Sequence, residues 1–389
     1  MQELEIDCEG EKARFVPCEN NPNLWRIMVG NNTTDSQNIR GYVLAYVDDV
    51  LMVGSTGWIT AAQKAVNDCW KSKISGIMVR DGQESNVKVD DLTFLSITLK
   101  LHPEGIALHQ KPYLNVKLKK RNMENEKGTL RLPEIPEGKL MPVAEEQKDA
   151  SYQKFLHQSQ CEVMTLQWAG LKTRPDILCT CSQIATIQTR DPQRALQLSN
   201  ALWKYISKTR KWGILMRIPT LTRHELLVSA DASFAPGGDA SRTGMAMSYY
   251  GSLIHHASNK QTLASLSSCE AELQAAVSAV KVGIALRSVI EDLTLTEVTV
   301  RLRQDNQAAV TQMTHHVTSW RTRHFAVKCA FMRDIIAFQR ISLEHEPGRT
   351  ILADGLTKTL STVESVSNNR KKLGMVEFDD DEVAKDEDQ

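Results

Sequence analysis

The chain has 389 residues, of which 41% are hydrophobic and 24% charged. This suits two or three globular domains and excludes a chain too polar to fold. No uninterrupted apolar run reaches the roughly 18 residues that span a bilayer, and the N-terminal MQELEIDCEGEKARF is acidic without the apolar segment of a signal peptide. The expectation is an intracellular protein, cytoplasmic or nuclear, neither secreted nor held at a membrane.

Residues 1–102 read as strands and one helix. GYVLAY and VLMVG are short apolar runs that flank two adjacent acids, Asp48 and Asp49, so the pair sits at the tip of a buried hairpin. TAAQKAVNDCWKSKI has helical spacing, and LTFLSITLKL and GIALHQ read as strands around an HPEG turn.

Residues 103–221 turn helical. KPYLNVKLKKRNM is a basic helix, and Gly128 to Pro142, with three prolines and two glycines, is a loop. Three helical stretches follow. The second opens at TRPDI and the third at DPQRALQLSNALWKYI, where Asp191 suits a cap and Pro192 a first turn.

Charge is unevenly spread although Lys+Arg and Asp+Glu both number 47. Lys172 to Arg217 carries nine Lys/Arg against two Asp. Within it, WKYISKTRKWG interleaves Lys204, Lys208, Arg210 and Lys211 with Trp203, Tyr205 and Trp212. Cations for phosphates and rings for stacking suit a nucleic-acid surface. An amphipathic helix with a solvated basic face and its aromatics in the core fits the same pattern. The eight cysteines are scattered, with no pair of pairs at zinc spacing, and read as small core residues.

Residues 222–360 change grammar again, giving three strands, a long helix, a strand, two helical stretches, a strand and a last short helix, ILADGLTKTL. Two of the strands end in acids, Asp231 in VSADAS and Asp305 in LRQDNQ. Sites in open α/β sheets form at strand ends, so adjacent strands would set these carboxylates side by side. The long helix offers Glu270 and Glu272, which about 200° of helical rotation separates. Glu272 shares its face with the small residues Ser268, Ala276, Ala279 and Gly283, which let the helix approach the sheet, so Glu272 is the expected third acid. Asp354 opens the last helix as a fourth. Four converging carboxylates need cations to offset their repulsion, and hard oxygen ligands suit Mg²⁺ or Mn²⁺. Taken singly, each acid has a plainer reading: turn residues for Asp231 and Asp305, a surface acid for Glu272, an N-cap for Asp354. The last 29 residues hold four Lys/Arg and nine Asp/Glu and are expected to be an acidic disordered tail.

These residues carry a resemblance. SADASFA, SRTGMAM, SNKQTLASLSSCEAEL, RQDNQAAV, RTRHFAVKCAFMRD and LADGLTK resemble the ribonuclease H domain of copia-type LTR retrotransposon Pol polyproteins. YVLAYVDDVLMVGS and FLSITLKLHPEGIALHQKPYLNVKLKK resemble the reverse transcriptase palm of the same polyproteins, and TRPDI with ALWKYISKTRKWGI resembles the stretch joining the two enzymes. The resemblance implies a partial palm, a mostly helical thumb or connection, and a ribonuclease H-like α/β domain with a mixed five-stranded sheet. It implies two-metal hydrolysis of the RNA strand of RNA–DNA hybrids by Asp231, Glu272, Asp305 and Asp354, using two Mg²⁺ or Mn²⁺ ions.

Asp48 and Asp49 match metal-binding acids of an RNA-directed DNA polymerase. The family places a further metal-binding Asp and the fingers upstream of YVDD by more than the 47 residues found here, and Asp7 and Asp35 match neither strand nor motif. Ser96 stands where the family usually has Gly. The expectation is therefore a chain truncated at its N-terminus, with polymerase activity lost. Two alternatives stay open: a polymerase completed by upstream sequence, or a non-catalytic nucleic-acid-binding remnant. Expected partners are RNA–DNA hybrid, RNA and DNA, and the missing polymerase part or other Pol and Gag products. Arg321 and Arg323 join the basic residues of the Trp203 region as nucleic-acid contacts. His345 is read as structural, and His324 as a packing or phosphate-contact residue; neither is assigned a catalytic role.

Overall fold

The computed structural model describes residues 4–80, 88–125, 127–135, 141, 143–220, 223–315 and 320–378. They fall into two compact units, one formed by Met1–Leu101 with Ile284–Thr299, the other by His102–Gly283 with Val300–Gln389.

In the first unit, β1 (Glu5–Cys8), β2 (Glu11–Pro17), β3 (Leu24–Val29), β4 (Ile39–Tyr46) and β5 (Asp49–Gly54) form an antiparallel meander in chain order. Alternating burial along β2 puts Ala13 and Phe15 on the inner face. There α1 (Thr56–Trp70) lays down Trp58, Ala62 and Val66 against Ile6, Phe15, Ile27 and Val43. The hairpin β6 (Asp91–Phe94) and β7 (Ile97–His102) follows, turning through Leu95 and Ser96 at φ 49° and 64°. Gly fits such a position without strain, so Ser96 occupies backbone that its side chain disfavours. Residues 284–299 belong here through a buried ion pair that the pattern of neither segment announces. Arg26 lies 3.5 Å from Asp292, whose other carboxylate oxygen accepts from the Asn20 N–H at 2.7 Å.

In the second unit, β8 (Gly105–His109) precedes a helical layer of α2 (Lys111–Lys119), α3 (Ala150–Lys172), α4 (Leu178–Ile187) and α5 (Pro192–Thr209). Asp149 caps α3 and Asp191 caps α5, each accepting a backbone N–H of the first turn. Their buried faces share one apolar core, with Leu114, Leu118, Val163, Leu166, Ile184, Leu202 and Ile206 among its members. After β9 (Trp212–Arg217) comes a five-stranded sheet. It contains β10 (Glu225–Ser233), β11 (Arg242–Tyr249), β12 (Ser252–Lys260), β13 (Thr299–Gln304) and β14 (Ile341–His345), in the order β12-β11-β10-β13-β14. Antiparallel β10–β11 and β11–β12 pairs with a parallel β13–β14 pair make the sheet mixed.

Between β12 and β13 runs α6 (Ser268–Thr294), followed beyond β13 by α7 (Gln307–Thr314) and α8 (Ala326–Phe338). By length and composition α6 would pass for a membrane span. Its buried face of Ala271, Leu273, Ala275, Ala276, Ala279, Val280 and Gly283 is that of a core helix.

Three expectations need correction. Residues 103–221 and 222–360 are not separate bodies. Arg242 of β11 donates to Ser182 Oγ of α4 at 2.7 Å, and His256 Nε2 of β12 lies 2.7 Å from the Gly170 carbonyl of α3. The ILADGLTKTL stretch is not an α-helix but a single 3-10 turn, Asp354–Leu356. Nor is the C-terminal segment disordered throughout: α9 (Val363–Lys372) and β15 (Met375–Glu377) follow, the latter antiparallel to β9. Val366 enters the helical core. The buried Arg370 guanidinium reaches Tyr205 Oη at 3.0 Å and Asp176 at 3.4 Å. Net charge misled because seven of the nine acids lie in residues 379–389, outside the described residues.

Candidate active site

Each carboxylate arrives by a separate route. Asp231 stands on β10, paired with Gly244 of β11. Asp305 directly follows β13, the neighbour of β10 in the sheet. Glu272 comes from the first turns of α6. Oxygens of these three side chains all lie within 4.8 Å of one another. The two-residue offset along α6 separates the helix acids as expected. Glu270 is also buried, but it turns to the chain before the helix, accepting from the Leu266 N–H at 2.8 Å with His324 Nε2 3.0 Å away. The small-residue face holds for Ala276, Ala279 and Gly283, whereas Ser268, at the helix start, is exposed.

Asp354 is not one of the three converging acids. Its carboxylate is ion-paired with Lys358 Nζ. The preceding residue, Thr357, donates its hydroxyl to Asp231 Oδ2, which ties this turn to β10. Such close approach needs Gly244. A Cβ there would lie 2.8 Å from the Ala353 carbonyl and 2.7 Å from Thr357 Cγ2. On the other flank Gly348 passes Asp305 so closely that a Cβ would sit 2.8 Å from Oδ2.

The electrostatics are dominated by burial and by carboxylates close to one another. Asp231 is 1% exposed, and burial pushes its carboxyl up to about 6. Glu272 is 7% exposed; burial, then the charges of Asp231 and Asp305, push it up to about 9. Asp305 is raised as well, first by burial. Glu272 Oε2 has no hydrogen-bond partner. A buried acceptor without a partner costs about 1–3 kcal/mol, and more when ionised. Three hard oxygen donors, one of them unpartnered, are the donor type that divalent cations take.

Sequence reasoning missed Lys358. Its signal lies in LADGLTK, where a cation stands four residues after Asp354. His345, at the end of β14, sets Nε2 2.9 Å from the Asp305 backbone carbonyl, a contact in keeping with a structural role.

Asp48 and Asp49 are exposed at the β4–β5 turn, where Tyr46 pairs with Asp49 across the hairpin. Val47 holds φ 54° there, a strained conformation for a β-branched side chain. No third ligand joins the pair among the described residues. Asp7 lies on β1, at the opposite edge of the sheet from β5, and accepts from the Gly10 N–H; Asp35 accepts from the Gln37 N–H.

Two of the three aromatics of the basic stretch cannot form a stacking surface. Trp203 and Tyr205 are 0% exposed. Trp203 Nε1 donates to Glu162 at 2.7 Å, and Tyr205 Oη to Asp176 at 2.6 Å, where Arg174 also forks onto the Asp176 carboxylate. The amphipathic reading is the correct one, because α5 needs its large rings to fill the helical core. Lys204 and Lys208 lie exposed on the opposite face, with Arg210 and Lys211 half-buried. Arg323 is exposed in the turn Trp320–Phe325; the side chain of Arg321, in the same turn, lies outside the described residues.

No family model matches the chain. Among curated proteins it is similar to the Retrovirus-related Pol polyprotein from transposon RE1 of Arabidopsis thaliana. The two are 26% identical over 346 residues, covering 86% of this chain and 22% of that protein. It is also similar to the Transposon Ty1-ER2 Gag-Pol polyprotein of Saccharomyces cerevisiae, at 23% identity over 337 residues, covering 83% of this chain and 19% of that protein. The chain thus spans about a fifth of the length of these relatives. Among solved structures it is similar to LC11-RNase H1 isolated from compost, at 18% identity and a TM-score of 0.29, over 34% of this chain and 92% of that one. The crystal structure of LC11-RNase H1 in complex with an RNA/DNA hybrid has a TM-score of 0.25 at 17% identity, over 31% of this chain and 85% of that one.

Proposed function

We propose that this chain, a relative of retrotransposon Pol polyproteins along most of its length, is a ribonuclease H-type endonuclease that hydrolyses the RNA strand of RNA–DNA hybrids. The observation that carries this reading is the convergence of Asp231, Glu272 and Asp305, largely buried, with a Glu272 oxygen left without a partner. Asp231, Glu272 and Asp305, with Asp354, would hold Mg²⁺ or Mn²⁺, and two such ions, when bound, supply an activated water and charge stabilisation for the leaving oxygen. The protein's own part is to keep this acidic site in shape. Thr357 orients Asp231 through its hydroxyl, and Gln304 Nε2 donates to the Glu272 carbonyl at 3.0 Å, tying the start of α6 to the end of β13. Outside the pocket, the exposed Lys204, Lys208 and Arg323 offer positive charge to a phosphate backbone.

The test is cleavage of an end-labelled RNA–DNA hybrid by purified protein with Mg²⁺ or Mn²⁺. Ion-dependent cutting of the RNA strand, lost in Asp305→Asn, supports the proposal. An intact hybrid with either ion rejects it, and salt-sensitive binding without cleavage would favour a non-catalytic remnant. A polymerase reading rests on Asp48 and Asp49. It is weaker because no third ligand stands beside them among the described residues. We expect no primer extension by this chain alone.

A further inference from the structure

We propose that Lys358 is a resident counter-cation of the carboxylate site and competes with a divalent ion for Asp354. This rests on the metal-site reading above and adds a control on ion affinity to it.

The site has a closed and an open side. At the closed side Glu272, 7% exposed, keeps an oxygen without a partner. At the open side Lys358 Nζ pairs with Asp354 and also feels the charges of Asp231 and Asp305. Its side chain is 50% exposed, so it can withdraw into water at little desolvation cost. The turn need not move with it, because the neighbouring Thr357 is anchored to Asp231. Lys358 therefore does two things. Without ions it offsets the repulsion that would splay Asp354 from Asp231 and Asp305. During ion uptake it must give up Asp354, and until it does, like-charge repulsion opposes the incoming cation.

The experiment is calorimetric titration of Mn²⁺ into the full chain without nucleic acid, for wild type, Lys358→Gln and Lys358→Arg. Far-UV circular dichroism checks that each is folded. Lys358→Gln is expected to bind Mn²⁺ on the order of tenfold more tightly, from removal of one unit charge beside a divalent ion. Its ion-free melting temperature is expected to fall. Lys358→Arg, which keeps the charge, is expected to bind like wild type. Should Lys358→Gln not fold, Lys358→Ala carries the same expectation.

Equal Mn²⁺ affinity in wild type and the neutral variant overturns the role of Lys358 while leaving the nuclease reading intact. So does Lys358→Arg binding as tightly as Lys358→Gln, since charge would then not be the agent. Absence of Mn²⁺ uptake by all the proteins overturns the metal site itself.

Discussion

Replacing Glu272 by Gln should stabilise the ion-free protein, with a pH dependence that follows from burial. Glu272 titrates at about 9 in the fold against an ordinary 4.5. Below pH 4.5 it is protonated in both the folded and unfolded states, and no stability is lost. As pH rises toward 9 the unfolded chain ionises while the folded one keeps its proton. Stability therefore falls by roughly 1.4 kcal/mol per pH unit across this window. By pH 7 the loss from Glu272 is about 3 kcal/mol on this basis, and Asp231, raised from 3.8 to about 6, adds a loss of the same sign at lower pH. Glu272→Gln removes the first contribution.

Urea unfolding in EDTA at several values between pH 5 and 8.5 reads this directly. Wild type should lose stability with rising pH more steeply than the variant. Saturating Mn²⁺ should reverse their order, because only wild type retains the carboxylate. Parallel stability curves in EDTA would refute the argument, since they would mean that Glu272 is solvated and ionised in the fold.

Asp305→Asn should reduce hybrid cleavage by more than the roughly 10–100-fold that loss of an outer-shell metal partner costs, measured as initial rates at saturating ion. Arg370→Met should lower stability by about 2 kcal/mol in urea unfolding, because Tyr205 loses a buried charged donor while Asp176 keeps Arg174; a change below about 0.5 kcal/mol would show that α9 does not hold the helical core. Gly244→Ala should cost about 1–3 kcal/mol and slow cleavage by displacing the turn that carries Asp354, read from melting and hybrid cleavage together. Reversing charge in Lys204→Glu/Lys208→Glu should weaken hybrid binding and flatten its salt dependence, and an unchanged salt slope would remove α5 from the binding surface.

Much of this site was legible in the sequence because its signals are local. A strand pattern that stops at an acid placed Asp231 and Asp305 near strand ends. Helical rotation chose Glu272 over Glu270, and the structure sets Glu272 with the two aspartates while Glu270 serves the chain before the helix. The hairpin carrying Asp48 and Asp49 followed from two apolar runs with a polar break, but it is not buried as those runs suggested: Tyr46, Val47, Val50 and Val53 are exposed.

What only the tertiary structure decided depends on neighbours distant in the chain. Composition cannot tell an aromatic that stacks from one that packs, and Trp203 and Tyr205 became core residues because Glu162 and Asp176 wait there to accept their polar atoms. Net charge summed over 29 residues hid a helix whose Arg370 is held by groups on α5 and beside α4. The pairing of Lys358 with Asp354, beside three acids drawn from a strand, a strand end and a helix, exists only once the sheet has formed. Sequence determines which groups can be charged; the fold determines how much water each one loses and which opposite charge takes its place.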